Sequence, residues 1–214
     1  MRKKSLNVKK KNLDKTTFFS NKKSIIKIYK IFEKNIKGLD KSLVAVSGGP
    51  DSLALAFLAN RYSILNSVKF NYALVDHKMR KGSSLEAKKV VQILKKIGIK
   101  CKILVWKGKK PNSNIQSIAR ENRYNLIFNK CFKNKINLVL TAHHMNDMYE
   151  NFFIRMLRGS GLKGLSSFRS SKTKIKKNKN IFIFRPLLDI SKNDLEYIAN
   201  KTFNFFIKAP SNEN

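Results

Sequence analysis

The chain has 214 residues, 42% of them hydrophobic, and its 46 Lys and Arg against 13 Asp and Glu give a formal net charge of +33. This apolar content suffices for one ordinary domain core and excludes a wholly disordered chain. An integral membrane protein is excluded as well, because Lys or Asn interrupts every run before the roughly 20 apolar residues that a spanning helix needs. The two cysteines, Cys101 and Cys131, form neither a disulfide framework nor a CxxC pair, which indicates a reducing cytoplasm.

The positive charge predicts attraction to polyanions, with nucleic acid as the first candidate partner. The composition is also rich in Lys, Asn and Ile together, as an A+T-rich coding sequence would produce, so compositional bias is the competing explanation. A membrane surface is a weaker candidate, because the lysines are spread along the chain and are not gathered on one amphipathic helix.

Residues 1–40 are interpreted as a basic N-terminal extension with one amphipathic helix, Ser24–Ile36, where apolar residues recur at helical spacing. From residue 41 onward, short apolar runs alternate with longer helical patterns. Five runs are apolar enough to be strands buried on both faces: Leu43–Val46, Phe70–Val75, Cys101–Trp106, Leu138–Thr141 and Ile181–Phe184. The helix candidates between them are Asp51–Arg61, Ser83–Ile97, Ser113–Lys133 and Asp147–Leu157.

This alternation predicts an α/β fold over residues 41–200: a doubly wound, mainly parallel five-stranded sheet with ligands at the carboxyl ends of the strands. The polar, cationic stretch Ser170–Asn180 is predicted to be an exposed loop. Ser191 is predicted to cap a helix that runs to about Lys201, with Asp194 at its third position. Residues 201–214 are interpreted as the start of a linker or of a truncated C-terminal region.

A glycine-containing hexad, SGGPDS, stands between the first predicted strand and a helical pattern. Such a loop aims backbone N–H groups and the positive end of a helix at a phosphate. The glycines permit close approach, the proline suits a first helical turn, the serine hydroxyls can donate to phosphate oxygens, and the aspartate can hold Mg²⁺. The alternative is a tight strand-to-helix turn capped by the aspartate. The nucleotide-binding candidates of this loop are Ser47, Gly48, Gly49, Pro50, Asp51 and Ser52.

The hexad lacks the GK[ST] ending of a Walker A loop and resembles the SGGxDS signature of the PP-loop ATP pyrophosphatases. This resemblance implies a Rossmann-like fold and an enzyme that cleaves ATP between the α and β phosphates. Such an enzyme adenylates a substrate oxygen, and a nucleophile then displaces AMP. The superfamily includes synthetases for GMP, NAD and asparagine and several tRNA-modifying enzymes, so the hexad does not choose among them.

Five further segments are similar to motifs of the tRNA(Ile)-lysidine synthases. They are Val75–Arg80, Ile115–Tyr124, Thr141–Gly164, Arg185–Leu188 and Pro210–Asn212. The resemblance implies a ligase that uses ATP and Mg²⁺ in the cytoplasm. It attaches free L-lysine to C2 of the wobble cytidine of a CAU-anticodon tRNA(Ile) through an adenylated intermediate, which changes the tRNA's specificity from methionine to isoleucine. A homodimer is one further expectation.

The matched segments also imply site residues outside the hexad. The catalytic candidates are Asp51, His143, Asp147, Arg120 and Arg158; the further nucleotide-binding candidates are Asp76, His77 and Arg185; and the Mg²⁺ candidates are Asp51 and Asp147. The family's first aspartate of the DD pair is Asn146 here, so an acidic role falls on Asp147. A solvated helix start with Asp147 as its cap, and arginines that are surface charges, are the structural alternatives. Mg²⁺ is favoured over a transition metal because no third His or Cys ligand is near in sequence.

Two rival functions stay open at this point. One is another PP-loop enzyme that modifies a different nucleotide or tRNA. Sulfur chemistry is disfavoured here, because sulfur-transferring members of the superfamily are expected to have paired cysteines, whereas Cys101 lies in a predicted strand and Cys131 at a predicted helix end. The other is an inactive RNA-binding remnant, suggested by a chain that ends soon after Pro210–Asn212, where the family continues into further tRNA-contacting parts.

Overall fold

The computed structural model describes residues 23–79, 82–108, 113–158, 171–175 and 178–207. The strands are β1 (Ser42–Val46), β2 (Phe70–Asp76), β3 (Cys101–Val105), β4 (Leu138–Leu140), β5 (Lys172–Ile175) and β6 (Asn178–Phe184). The described helices are α1 (Lys23–Ile36), α2 (Pro50–Asn66), α3 (Ser83–Lys96), α4 (Ile115–Lys133), α5 (Met145–Leu157) and α6 (Lys192–Phe203). None of these helices is long and apolar enough to span a membrane.

The six strands form one sheet in the order β3-β2-β1-β4-β6-β5. All neighbouring pairs are parallel except β5 and β6. The chain passes from β1 outward to β2 and β3 on one side and later returns to place β4 on the other side of β1. This arrangement confirms the predicted α/β fold. It also creates a crevice at the carboxyl ends of β1 and β4, which is where ligands bind in open sheets of this kind.

The sheet is buried on both faces, and β1 illustrates why its sequence is continuously apolar. Val44 and Val46 lie in a large hydrophobic cluster with residues of α1, α2, α3 and α6. Leu43 lies in a second cluster with Ile127 and Cys131 of α4. Because successive side chains of a strand point to opposite faces, a strand with a core on each side needs an apolar residue at nearly every position.

The predicted exposed loop Ser170–Asn180 is wrong, because it contains β5 and the beginning of β6. These two strands pair in antiparallel fashion at the edge of the sheet, so the sheet has six strands where five were predicted. The ammonium groups of Lys172 and Lys174 lie 4.6 and 5.9 Å from the centroid of the Phe182 ring. An edge strand can use such long cationic side chains to cover an aromatic ring, so it does not need the apolar run that identifies a central strand.

The amphipathic helix predicted near the N-terminus is confirmed as α1. Its apolar face is buried and consists of Ile25, Ile28, Tyr29, Phe32 and Ile36. These side chains belong to the same cluster as α2 and the sheet, so α1 is an integral part of the core. Residues 1–22 of the predicted extension lie outside the described residues. The predicted cap of α6 is also confirmed, since the Ser191 hydroxyl accepts a hydrogen bond from the Asp194 N–H at 3.2 Å.

Candidate active site

A cleft of about 600 Å³ lies at the carboxyl ends of β1, β2 and β4, which is the edge of the sheet that the topology predicts. Its walls come from the loops that follow these three strands and from the N-terminal half of α4. Eight of the residues proposed from the sequence line it: Ser47, Gly49, Asp51, Ser52, Asp76, His77, Arg120 and His143. The fold therefore brings together side chains that lie as far as 96 positions apart along the chain.

The loop after β1 is held in shape by its last serine. The buried Ser52 hydroxyl accepts hydrogen bonds from the N–H groups of Ser47 and Gly48, both at 3.1 Å, and donates to the Gly49 carbonyl at 2.9 Å. Gly48 has a φ of +93°, a conformation that L side chains rarely adopt, which explains the glycine. Pro50 then begins α2. Ser52 therefore organises the loop, while the first turn of α2 offers free N–H groups to an anion.

Asp51 and Asp147 are joined by a histidine that sequence reasoning left out of the site. The Nε2 atom of His144 lies 3.6 Å from Asp51 Oδ2, and its Nδ1 atom lies 3.7 Å from Asp147 Oδ2. Burial lowers the pKa of His144, but the two carboxylates outweigh this effect and raise the pKa above its ordinary value. His144 is also the N-cap residue of α5 and donates its N–H to Asp147 Oδ2 at 2.9 Å. The only available signal was its position at the helix start, beside the more obvious His143.

The acidic side chains fit Mg²⁺ unequally. Asp51 Oδ1 is a buried oxygen with no hydrogen-bond partner among the described residues, and carboxylate oxygen is the ligand that Mg²⁺ prefers. Asp147 Oδ2 is already engaged by the His144 N–H. Within the described part of the chain, no group of three or more His, Cys, Asp or Glu side chains could hold a metal ion. An ion bound by Asp51, with Asp147 as the other candidate ligand, would complete its coordination with water and substrate phosphates.

Asp76, proposed as a nucleotide-binding residue, uses its carboxylate to build the loop after β2. It accepts hydrogen bonds from the Lys78 N–H at 3.0 Å and from the hydroxyls of Ser83 and Ser84 at 2.9 and 2.5 Å. Burial alone would raise the pKa of Asp76, but these three donors lower it below its ordinary value. The geometry indicates that Asp76 positions the cleft wall.

His77 and Arg120 both line the cleft. His77 Nε2 accepts a hydrogen bond from Arg123 Nε at 3.3 Å. Burial and then the positive charge of Arg123 lower the pKa of His77, so its imidazole is neutral at physiological pH. The Arg120 guanidinium lies 5.4 Å from the centroid of the Tyr124 ring. This part of the cleft offers flat apolar and cationic groups that suit a base and its phosphates.

His143 is a half-buried neutral group that lines the cleft. Its Nδ1 atom lies 3.0 Å from the Thr141 hydroxyl. Burial lowers the pKa of His143 to about 4, and the positive charge of Arg185 adds to this effect. At neutral pH the imidazole therefore carries no charge and can act as a hydrogen-bonding group.

The lowered pKa of His143 makes stability depend on pH. Between pH 6.5, near the ordinary pKa, and pH 4 the unfolded chain binds a proton that the folded chain does not, so stability falls as the pH falls. We expect the free energy of unfolding of His143→Gln, measured by urea titration at several pH values, to decline less steeply over this range than that of the parent chain. Part of the decline is expected to persist because the pKa of His77 is lowered as well. Identical slopes for the two chains would contradict the prediction.

Two of the proposed arginines lie away from the cleft lining. The Arg185 guanidinium donates from Nη1 to the Thr173 hydroxyl at 2.8 Å and influences His143 electrostatically. Arg158 is exposed at the C-terminal end of α5, whose N-terminal end is at His144. A helix rises about 1.5 Å per residue, so Arg158 lies roughly 20 Å along the helix from His144. The structure does not bring Arg158 to the other candidates, and its catalytic role stays a prediction.

The cysteines are structural. Cys131 is buried in the cluster between the sheet and α4, whereas Cys101 packs against the cluster on the opposite face. Burial raises the pKa of both thiols to about 12, so neither is a thiolate at neutral pH. Two thiols on opposite faces of a sheet cannot jointly bind a cluster or exchange a persulfide.

Comparison with known proteins identifies the family of this chain. A family model described as a PP-loop domain matches residues 20–214. The chain belongs to the PP-loop domain family. Over 186 residues, this PP-loop domain is 39% identical to proteins named tRNA(Ile)-lysidine synthase from Rickettsia peacockii and Rickettsia felis. The alignment covers 84% of the chain but only 34% and 42% of those two relatives, so the chain spans about two fifths of their length.

Solved structures confirm the fold of this PP-loop domain. A U34-tRNA thiolase from Methanococcus maripaludis with its [4Fe-4S] cluster matches 87% of the chain and 67% of its own length, with a TM-score of 0.72 and 19% identity. A glutamine-dependent NAD+ synthetase from Acinetobacter baumannii in complex with ADP matches 83% of the chain and 32% of its own length, with a TM-score of 0.52 and 13% identity. At these identities the likeness concerns the arrangement of strands and helices alone.

Proposed function

We propose that this PP-loop domain attaches lysine to C2 of the wobble cytidine of a CAU-anticodon tRNA(Ile) at the expense of ATP. The observation that carries the proposal is the cleft, where the glycine loop and Asp51 lie beside the His144–Asp147 pair. Relatives that are 39% identical are named tRNA(Ile)-lysidine synthase, and this name indicates the substrate class. Cys101 and Cys131 lie on opposite faces of the sheet, which argues against sulfur transfer in this chain.

ATP is proposed to bind with its phosphates at the loop after β1. The N–H groups at the start of α2 and the positive end of that helix attract the phosphate oxygens. Asp51 Oδ1 would hold Mg²⁺, which supplies positive charge against the phosphates. The Arg120 guanidinium lines the cleft and can stabilise charge that develops at the α-phosphate and on departing pyrophosphate.

The proposed chemistry has two steps. The C2 carbonyl oxygen of the cytidine attacks the α-phosphorus, the bond to the β-phosphate oxygen breaks, and pyrophosphate leaves. The lysine ε-amine then forms a bond to C2, loses a proton, and AMP leaves with the former carbonyl oxygen. Asp51 or Asp147 orients the lysine ammonium before its deprotonation, and neutral His143 donates or accepts a hydrogen bond. Most of the acceleration is expected from positioning and electrostatics.

The remaining proposals concern the partners. The net charge of +33 supports tRNA as a partner, and binding is expected to weaken steeply as salt increases. Asp51 and Asp147 are the proposed Mg²⁺ residues, with Asp51 in the better position. A cytoplasmic location and a homodimer stay predictions, and sedimentation of the purified chain would test the homodimer.

Incubation of the chain with ATP, labelled lysine and CAU-anticodon tRNA(Ile) tests the proposal. We expect label in the tRNA, together with pyrophosphate in equal amount, because each ligation consumes one ATP. The matched control is the same tRNA with uridine at the wobble position. Replacement of lysine by ornithine or by a sulfur donor tests the rival PP-loop chemistries. ATP consumption without lysine incorporation would overturn the assignment.

A further inference from the structure

The segment that follows α6 reaches the glycine loop. Asn204, with a φ of +48°, ends α6 and turns the chain. Phe205, Phe206 and Ile207 then pack against the hydrophobic cluster that includes α2 and α3. The Lys89 ammonium of α3 lies 4.1 Å from the centroid of the Phe205 ring. Residues 204–207, here called the strap, thus pack on the domain on the side where the glycine loop after β1 lies.

The end of the strap touches the loop through both backbone and side chain. The Ile207 N–H donates a hydrogen bond to the Gly48 carbonyl at 2.9 Å. A Cβ atom placed on Gly48 would lie 2.6 Å from Ile207 Cδ1 and 2.9 Å from Val90 Cγ2. Ile207 therefore fills the space that a side chain at Gly48 would need. Ile207 also lines the cleft together with Asp51.

The hydrogen bond fixes the orientation of a peptide group. The peptide between Gly48 and Gly49 is planar and trans, so its carbonyl and its N–H point in opposite directions. Because Ile207 holds the carbonyl, the Gly49 N–H is directed away from the strap. Ser52 holds the peptides on either side of this one, through the Gly48 N–H and the Gly49 carbonyl. Between them, two consecutive glycines would allow the Gly48–Gly49 peptide to flip without the bond to Ile207. Gly49 is both a cleft residue and the N-cap residue of α2.

We infer that Ile207 is a positioning residue for the nucleotide: it holds the Gly48–Gly49 peptide in the orientation that presents the Gly49 N–H to a phosphate. The inference rests on the proposed use of ATP. It assigns residues 204–207 to the nucleotide site, whereas residues 201–214 were expected to form a linker or a truncated C-terminal region.

Nucleotide affinity measured without turnover tests this role. Isothermal titration of the full chain with AMPCPP and Mg²⁺ needs neither tRNA nor lysine. Ile207→Pro removes the N–H and is expected to raise the Kd about tenfold, the effect of roughly one hydrogen bond to an ordered group. Ile207→Ala keeps the N–H but uncovers Gly48, and we expect an increase of about threefold. In turnover assays both variants should raise KM for ATP more than they lower kcat.

Phe206→Ala is the matched control. Phe206 belongs to the same strap and packs on the same cluster, but it does not line the cleft. Its truncation is expected to lower the melting temperature while changing the Kd for AMPCPP less than twofold. If Ile207→Pro does not fold, a Kd of Ile207→Ala equal to that of the parent overturns the inference.

The outcomes separate this inference from the proposed function. A parent chain that binds AMPCPP but incorporates no lysine contradicts lysidine formation and leaves the role of Ile207 measurable. Equal Kd values for the parent and both Ile207 variants contradict the role of Ile207 alone. A parent chain without affinity for AMPCPP contradicts both.

Discussion

Replacement of Asp51 by asparagine is expected to lower pyrophosphate release, dependent on both ATP and tRNA, by at least about 100-fold, the usual cost of one preorganised electrostatic group at a reacting centre. The amide retains the shape of the side chain but loses the negative charge that lies 3.6 Å from His144 Nε2 and that would hold the proposed Mg²⁺. Binding of tRNA, measured by filter retention, is expected to change little, because Asp51 is a single acidic group in a chain with a net charge of +33.

Asp40→Asn provides the matched control for this experiment. Asp40 undergoes the same chemical change, but it is exposed and precedes β1, so it lies at the opposite end of the sheet from the cleft. The rate of pyrophosphate release by the Asp40→Asn variant is expected to stay within twofold of that of the parent chain. If the Asp51→Asn variant releases pyrophosphate at nearly the parental rate, a catalytic role for Asp51 is contradicted.

Truncation of Phe32 to alanine is expected to lower the free energy of unfolding by about 3–5 kcal/mol, as full burial of an aromatic ring predicts. Phe32 lies on α1 with 0% of its surface exposed, in the cluster that also contains α2 and the sheet. The expected loss is a large part of the total stability of a typical domain. Urea unfolding followed by circular dichroism measures it.

Lys30→Ala on the exposed face of the same helix should change stability by less than about 0.5 kcal/mol, since surface substitutions are usually this small. The pair therefore distinguishes burial of α1 from its helical propensity. If Phe32→Ala costs less than about 1 kcal/mol, α1 would instead be a loosely attached extension of the domain.

The fold could be predicted wherever strands are buried on both faces. In β1, β2 and β4 most residues are buried, so a largely apolar run marks the strand. The antiparallel edge strand β5 was not predicted because two exposed lysines, Lys172 and Lys174, stand where a central strand has apolar residues, and they place their ammonium groups over the Phe182 ring. A segment in which Lys alternates with Thr and Ile is typical of a polar loop. Only the paired strand β6, which supplies Phe182, shows why such a segment forms a strand here.

The part of the candidate site that could be predicted consists of residues in continuous sequence motifs, where the residue type itself indicates the chemistry. Asp51 and His143 follow strands directly, so the sheet topology alone brings them together. His144 and Ile207 could not be found in this way. The role of His144 depends on lying between two carboxylates from different elements, and that of Ile207 on a backbone contact with Gly48, 159 positions earlier in the chain.

The lysines at the two edges of the sheet have a consequence for solubility. Lys172 and Lys174 on β5 and Lys102 on β3 are exposed on the strands that end the sheet. Charged edge residues oppose the addition of a strand from another molecule, because the incoming strand would have to desolvate them or approach a like charge. Part of the positive charge is thus expected to oppose aggregation of the folded protein through the edges of its sheet.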